Sequence, residues 1–398
     1  MAGANRSMLQ LIRELREMYA VEPFVLLPYD KRDGISLKDY LKKENIDFKE
    51  VKVPYFKQGY RRRDVRLEFY EDFHEIDKEL AALKDLHFDL IHSNSSVIDV
   101  GGYISRKIGV RHIWHLRDFG ELDYSLYSIW GKLYEKLSYR NGEAFIAISS
   151  VIKDYFERVI PASKIQIIYN GIKPKENLPI ALHNSESVKF LCAGVICDAK
   201  NQMEIIRAVN LLVNERAITQ LHIYLAGIED SDYVNQLLEF IKQNYLEQYV
   251  TIVGEVDGIE SLASTMDVGI MSSKCEAFGR VTVEYMFQNL AVIANDNGAN
   301  PEIIRDGETG LIYKHNNIES LADKMQMLIE DRNLLKQISV EGRNEAKIKY
   351  LSKINTRHIY NLYNQLLSRP NRAKHRINYA DWLLNMLHCK DLIAKRIK

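Results

Sequence analysis

Eleven short apolar runs, rich in Val, Ile, Leu and Phe, alternate along the chain with amphipathic segments of helix length. They lie at residues 24–28, 50–54, 89–92, 112–116, 144–149 and 165–169, then at 189–195, 222–226, 250–253, 268–271 and 291–294. Most show no polar–apolar alternation, the character of strands covered by helices on both faces. Alternating strands and helices impose parallel sheets with right-handed crossovers. Eleven strands are too many for one ordinary twisted sheet, so the pattern predicts an α/β chain of two Rossmann-like domains. Its 398 residues suit that division.

The boundary is legible. Residues 173–187 (KPKENLPIALHNSES) carry two prolines and no helical period, and a new strand–loop–helix unit begins at Val188. The expected layout is a first domain at 1–172, a linker at 173–187 and a second domain at 188–350. Residues 351–398 would supply C-terminal helices and a basic tail packing back on the first domain. One irregularity stands at the start. Gly3-Ala4-Asn5-Arg6-Ser7 leads straight into an amphipathic helix at 8–18, with no strand before it. A doubly wound domain opens on a central strand, so the first sheet is expected to have a hole. The preferred reading puts the natural start upstream of Met1; the alternative is a domain that lacks this strand altogether.

Composition excludes several classes. Lys plus Arg and Asp plus Glu are both 54, so the formal net charge is zero and a nucleic-acid-coating surface is not expected. Cys192, Cys197, Cys275 and Cys389 form no CxxC pair, which argues against a disulfide framework or a structural zinc site. No run approaches the roughly 18 apolar residues of a membrane span, and the N-terminus lacks a signal-peptide pattern. A cytoplasmic protein is expected.

The chemistry concentrates at residues 272–284 (SSKCEAFGRVTVE), which follow the apolar run 268–271 and open a helix. A glycine turn entering a helix presents backbone N–H groups and a positive dipole end, a seat for a diphosphate. Glu276, before that helix, can accept from hydroxyl groups, and Glu284, two turns on, can hold a second diol. Gly194…Lys200 follows the first strand of the second domain and places a cation at a strand-to-helix turn. The turn at residues 297–302 (NGANPE) follows another strand.

These residues resemble the family 4 (group 1) retaining nucleotide-sugar glycosyltransferases. The resemblance rests on the E-x(7)-E pair Glu276/Glu284, Phe278-Gly279 between them, Gly194…Lys200, the turn at 297–302 and Asp306-Gly307-Glu308-Thr309-Gly310-Leu311. In the first domain Gly3-Ala4-Asn5-Arg6-Ser7 resembles the family's glycine loop, His115 its active-site histidine and Tyr169-Asn170-Gly171-Ile172 its N-G-I/V strand end. The family implies the GT-B fold, two Rossmann-like domains facing across a cleft. By the same resemblance, Glu276 binds donor-sugar hydroxyls and Lys200 the diphosphate. Glu284 holds the ribose, and His115 stabilises the sugar. Gly3, Asn170, Gly194, Ala277, Phe278, Gly279, Arg280 and Val281 complete the donor site. Val195 stands where the family usually carries Arg, and Ala2 where a glycine is common.

The implied activity is transfer of a hexose-type sugar from a nucleotide-diphosphate donor to a glycan or lipid-linked acceptor. It would proceed with retention and with no metal or other cofactor, in bacterial surface polysaccharide biosynthesis. Tyr55, Phe56, Lys57 and residues 60–63 (YRRR), with the basic tail, suggest peripheral contact with an anionic membrane at the inner face of the plasma membrane. Two alternatives stay open: a nucleotide-sugar 2-epimerase of similar architecture and a non-catalytic partner subunit. A nicotinamide dehydrogenase is disfavoured, because no complete G-x-G-x-x-G follows a predicted strand.

Overall fold

Each of the eleven apolar runs contains or overlaps a parallel strand, the run 50–54 doing so only at its start, in Asp47–Val51. The structure is a computed structural model that describes residues 3–29, 37–53, 55–59, 63–140, 142–175, 186–228, 230–256 and 258–370. The chain divides into two compact units. One runs to Tyr169 and resumes at Asn355; the other is Asn170–Ile354.

The second unit holds a six-stranded sheet. Its order is Val250–Gly254, Leu221–Ala226, Val188–Ala193, Val268–Met271, Ala291–Asn295 and Leu311–Tyr313, parallel throughout. The last, three residues long, follows the Asp306…Leu311 turn and was not among the predicted runs. Phe190, Ile223, Leu225, Ile270 and Ile293 form its core with Ile205, Ile206 and Val209 of the helix Gln202–Asn210. The helices Ile318–Glu330 and Arg332–Lys349 add Leu321, Met325, Leu335 and Ile338.

The first unit is built differently. Leu90–Ser93, Arg111–Leu116, Ala144–Ala147 and Ile165–Ile167 make a four-stranded parallel sheet, while Phe24–Pro28 and Asp47–Val51 make a separate parallel pair. The expected discontinuity is therefore present among the described residues. Side chains bridge it. The helix Gly3–Tyr19 buries Leu11 and Leu15 against Ile113, Ala144 and Ile146, and buries Leu9 and Ile12 against Val25, Leu27, Leu41 and Ile46. Helix Ser352–Leu367 adds Ile359, Leu362, Tyr363 and Leu366 to the first of these clusters.

Two sequence expectations need correction. Residues 3–7 are not a glycine loop: they are the first turns of the helix Gly3–Tyr19, continuous with the amphipathic pattern that buries Leu9, Leu11, Ile12 and Leu15. The basic–aromatic patch is not a surface at Phe56 and Lys57, which are both buried. Lys57 Nζ pairs with Glu135 at 2.5 Å and lies 5.3–5.7 Å from the ring centres of Phe56, Tyr139 and Phe156. An ammonium taken out of water is retained only with such partners. Residues 60–62, the linker stretch 176–185 and the tail 371–398 lie outside the described residues. Among the described residues no helix is long and apolar enough to cross a membrane.

Candidate active site

In the second unit's sheet the direction of strand addition reverses between Val188–Ala193 and Val268–Met271, which lie side by side. Open α/β sheets bind ligands at such a switch point, beyond the carboxyl ends of the strands. Lys200 follows the first of these strands and Glu276 the second. The structure brings them together: Lys200 Nζ donates to Glu276 Oε2 at 3.0 Å. The other carboxylate oxygen, Oε1, accepts the Gly279 N–H at 3.2 Å. Gly279 sits at φ +77°, left-handed, and caps the helix Arg280–Phe287 without a side-chain cap. This helix start therefore offers N–H groups with no carbonyl a turn below them, beside a cation and a carboxylate.

Three loops hold this arrangement. Ser272 Oγ donates to the Lys200 carbonyl at 2.8 Å and the Lys274 N–H to that of Ala199 at 3.0 Å, which stitches the 272–279 loop to the turn Asp198–Lys200. Lys274 Nζ meets both carboxylate oxygens of Asp198 at 2.7 Å. From the other side Asn295 Nδ2 donates to the Ser273 carbonyl at 2.9 Å and the Ala299 N–H to that of Glu276 at 2.9 Å. Gly298, at φ +60°, packs so closely that a Cβ there would lie 2.3 Å from the Glu276 carbonyl oxygen. Only glycine fits. The sequence showed 297–302 as a turn but not that its glycine fixes the backbone of Glu276.

Glu284, buried on the same helix, accepts from Arg280 Nε at 2.8 Å. Phe278 is buried against Tyr350, and Ala277 and Val281 are partly exposed beside it. Gly194, at φ +140°, has open space where a side chain would project, and its carbonyl is packed on Gly227. Asn170 is buried where the second unit begins. Val195, at the usual arginine position, is 47% exposed, so this surface carries no charge of its own there.

His115 and Gly3 belong to the first unit. His115 ends the strand Arg111–Leu116 and is fully buried. Arg117 and Asp118, which follow that strand, reach a neighbouring loop. Arg117 Nε donates to Asn94 Oδ1 at 2.6 Å, and Asp118 accepts from Ser95 at 3.3 Å and from Ser96. Burial raises the Asp118 carboxyl above its ordinary value, an effect its serine partners oppose. Among the described residues no three His, Cys, Asp or Glu side chains gather as a metal site.

Comparison with known families decides the class. The pattern of the Glycosyl transferases group 1 family matches residues 175–345, and that of Glycosyltransferase Family 4 matches residues 1–176. The chain belongs to the group 1, family 4 glycosyltransferases. An uncharacterized glycosyltransferase of Methanocaldococcus jannaschii is 27% identical over 264 residues, 65% of this chain and 70% of that protein. GalNAc-alpha-(1->4)-GalNAc-alpha-(1->3)-diNAcBac-PP-undecaprenol alpha-1,4-N-acetyl-D-galactosaminyltransferase of Campylobacter jejuni is 24% identical over 281 residues, 67% of this chain and 72% of that one. Against some other relatives the chain spans only 38–54% of their length. Anabaena HepE, solved in complex with UDP, superposes with a TM-score of 0.74 at 20% identity, covering 92% of this chain and 96% of that one. The glycosyltransferase fold is thus GT-B, with two Rossmann-like domains and parallel sheets. In this glycosyltransferase Lys200 and Glu276 meet at the switch point, while Glu284 lies on the helix that starts there and pairs with Arg280.

Proposed function

We propose that the protein moves a hexose-type sugar from a nucleotide-diphosphate donor to a glycan or lipid-linked acceptor, with retention, in assembly of a bacterial surface polysaccharide. The observation that carries this reading is the Lys200–Glu276 pair at the start of helix Arg280–Phe287. A nucleotide sugar offers a diphosphate for the cation and the N–H groups, and hydroxyls for the carboxylate. Lys200 and the helix start meet the leaving charge, so we read the reaction as independent of a metal or other cofactor. Glu284 is assigned the ribose, and His115 and Asn170 the donor sugar. The Campylobacter relative, named for an undecaprenol-linked substrate, supports a lipid-linked acceptor, and we place the reaction on the cytoplasmic side of the plasma membrane.

The test is incubation with a panel of nucleotide-diphosphate hexoses, with and without lipid-linked acceptors, and proton NMR of the new glycosidic bond. The expected product keeps the donor's anomeric configuration and forms equally well in EDTA. Conversion of a donor without acceptor would instead identify an epimerase. Inverted product, or activity abolished by EDTA and restored by manganese, would refute retention or metal independence respectively.

A further inference from the structure

His115 is not held alone. In the parallel register His92 pairs with Ile113, so His92 and His115 lie diagonally on one face of adjacent strands. His92 Nε2 lies 3.1 Å from His115 Nδ1, and His92 Nδ1 lies 2.5 Å from the hydroxyl of Tyr363, on helix Ser352–Leu367. The remaining nitrogen, His115 Nε2, is buried with no hydrogen-bond partner among the described residues. Burial pushes His92 down to about 3 and His115 well below the ordinary imidazole value, and the Arg117 charge acts the same way on both. Both rings are therefore neutral at pH 7.

Two neutral rings joined by one hydrogen bond share one proton, and its position fixes which nitrogen of His115 carries hydrogen. If His92 donated from Nδ1 to the phenol oxygen, the buried Tyr363 hydroxyl would need a second acceptor; its hydroxyl is bonded to His92 alone among the described residues. If Tyr363 donates to His92 Nδ1, His92 Nε2–H donates to His115 Nδ1 and the hydrogen of His115 sits on Nε2. That proton alone is then left without an acceptor among the described residues, whereas the reverse order strands both the Tyr363 proton and the His115 Nε2 lone pair. We infer that Tyr363 and His92 are positioning residues that lock His115 as the Nε2–H tautomer, a hydrogen-bond donor to an oxygen of the donor sugar. The sugar as recipient rests on the function proposed above; the tautomer does not.

Multiple-bond proton–nitrogen NMR of the full chain labelled with nitrogen-15 histidine reads the tautomer directly, with His115 assigned by its loss in His115→Gln. The Nε2–H form is expected at pH 7, and the Nδ1–H form in the wild-type spectrum would overturn the proposal. Tyr363→Phe removes one hydrogen bond and should mix the tautomers. It should lower turnover about three- to tenfold while UDP affinity stays within about twofold. His92→Gln, whose side-chain amide can still donate to Nδ1, should keep the Nε2–H form and most of the turnover; His92→Leu should keep neither. Unchanged tautomer and turnover in Tyr363→Phe would refute the relay. An Nε2–H His115 in a protein that transfers from no nucleotide sugar would count against the proposed function and leave the relay standing.

Discussion

The two units use the same alternation of strand and helix, yet only one has a continuous sheet. In the second, the strand that comes first in the chain, Val188–Ala193, lies inside the sheet and pairs on both sides. In the first, the earliest strand, Phe24–Pro28, pairs among the described residues with Asp47–Val51 alone, and the four-stranded sheet stands apart. What a central ladder does by backbone hydrogen bonds in one unit is done in the other by Leu9, Ile12, Leu11 and Leu15 of a single helix. Side-chain packing without a ladder holds position less cooperatively. Lys200, Glu276 and Gly279, the residues proposed for the donor site, lie on loops that leave the continuous sheet, where loops from adjacent strands can be stitched to fixed distances.

Acid should separate the units most. The first unit carries His92 and His112, each pushed down to about 3 by burial, besides His115. The unfolded chain protonates them near 6.5 while the folded unit does not. Their contribution is therefore complete above that pH and is lost as pH falls toward 3. At pH 5 the loss is about 2 kcal/mol for each of His92 and His112. Among the described histidines of the second unit, the partly buried His222 alone has a lowered value. Trp114 and Trp130 lie in the first unit, so urea unfolding followed by Trp fluorescence should shift to lower urea between pH 7 and pH 5, ahead of the far-UV circular dichroism. Coincident shifts in both probes would break the contrast.

The reverse experiment attacks the continuous sheet. Gly227 is at φ +152°, and a Cβ there would lie 1.8 Å from the Gly194 carbonyl oxygen. Gly227→Ala should cost about 3 kcal/mol, seen in far-UV dichroism, and should leave the Trp transition near its wild-type midpoint. A shift confined to the Trp probe would contradict the assignment of this contact to the second unit's stability.

The sequence made the eleven strands legible because parallel strands buried on both faces read as unbroken apolar runs. Leu311–Tyr313 escaped, being three residues at a sheet edge with no pattern length to detect. Residues 3–7 were read by motif alone, and they continue the helix Gly3–Tyr19 instead. At the site, Glu276, Gly279 and Lys200 were visible because turn chemistry and charge are local. The restraints from Gly298, Asn295 and Gly227 were not, since they arise from neighbouring strands far apart in the chain. The same holds for His92, whose partner lies on the next strand and whose second contact comes from Tyr363.

A smaller effect sharpens the site itself. Glu276→Ala removes the carboxylate that accepts from Lys200 and Gly279, with an expected loss of about 10–100-fold in turnover. Both unfolding transitions should stay in place. Wild-type kinetics in this variant would remove Glu276 from the donor site.

Lys200 is expected to meet a diphosphate at the switch point, and calorimetric titration of wild type and Lys200→Ala with UDP and with uridine measures that contact. Lys200 is about a third exposed and already paired, so a moderate loss is expected. UDP affinity should fall about tenfold in Lys200→Ala, while uridine affinity stays within about twofold. Equal losses for the two ligands, or unchanged UDP affinity, would contradict it.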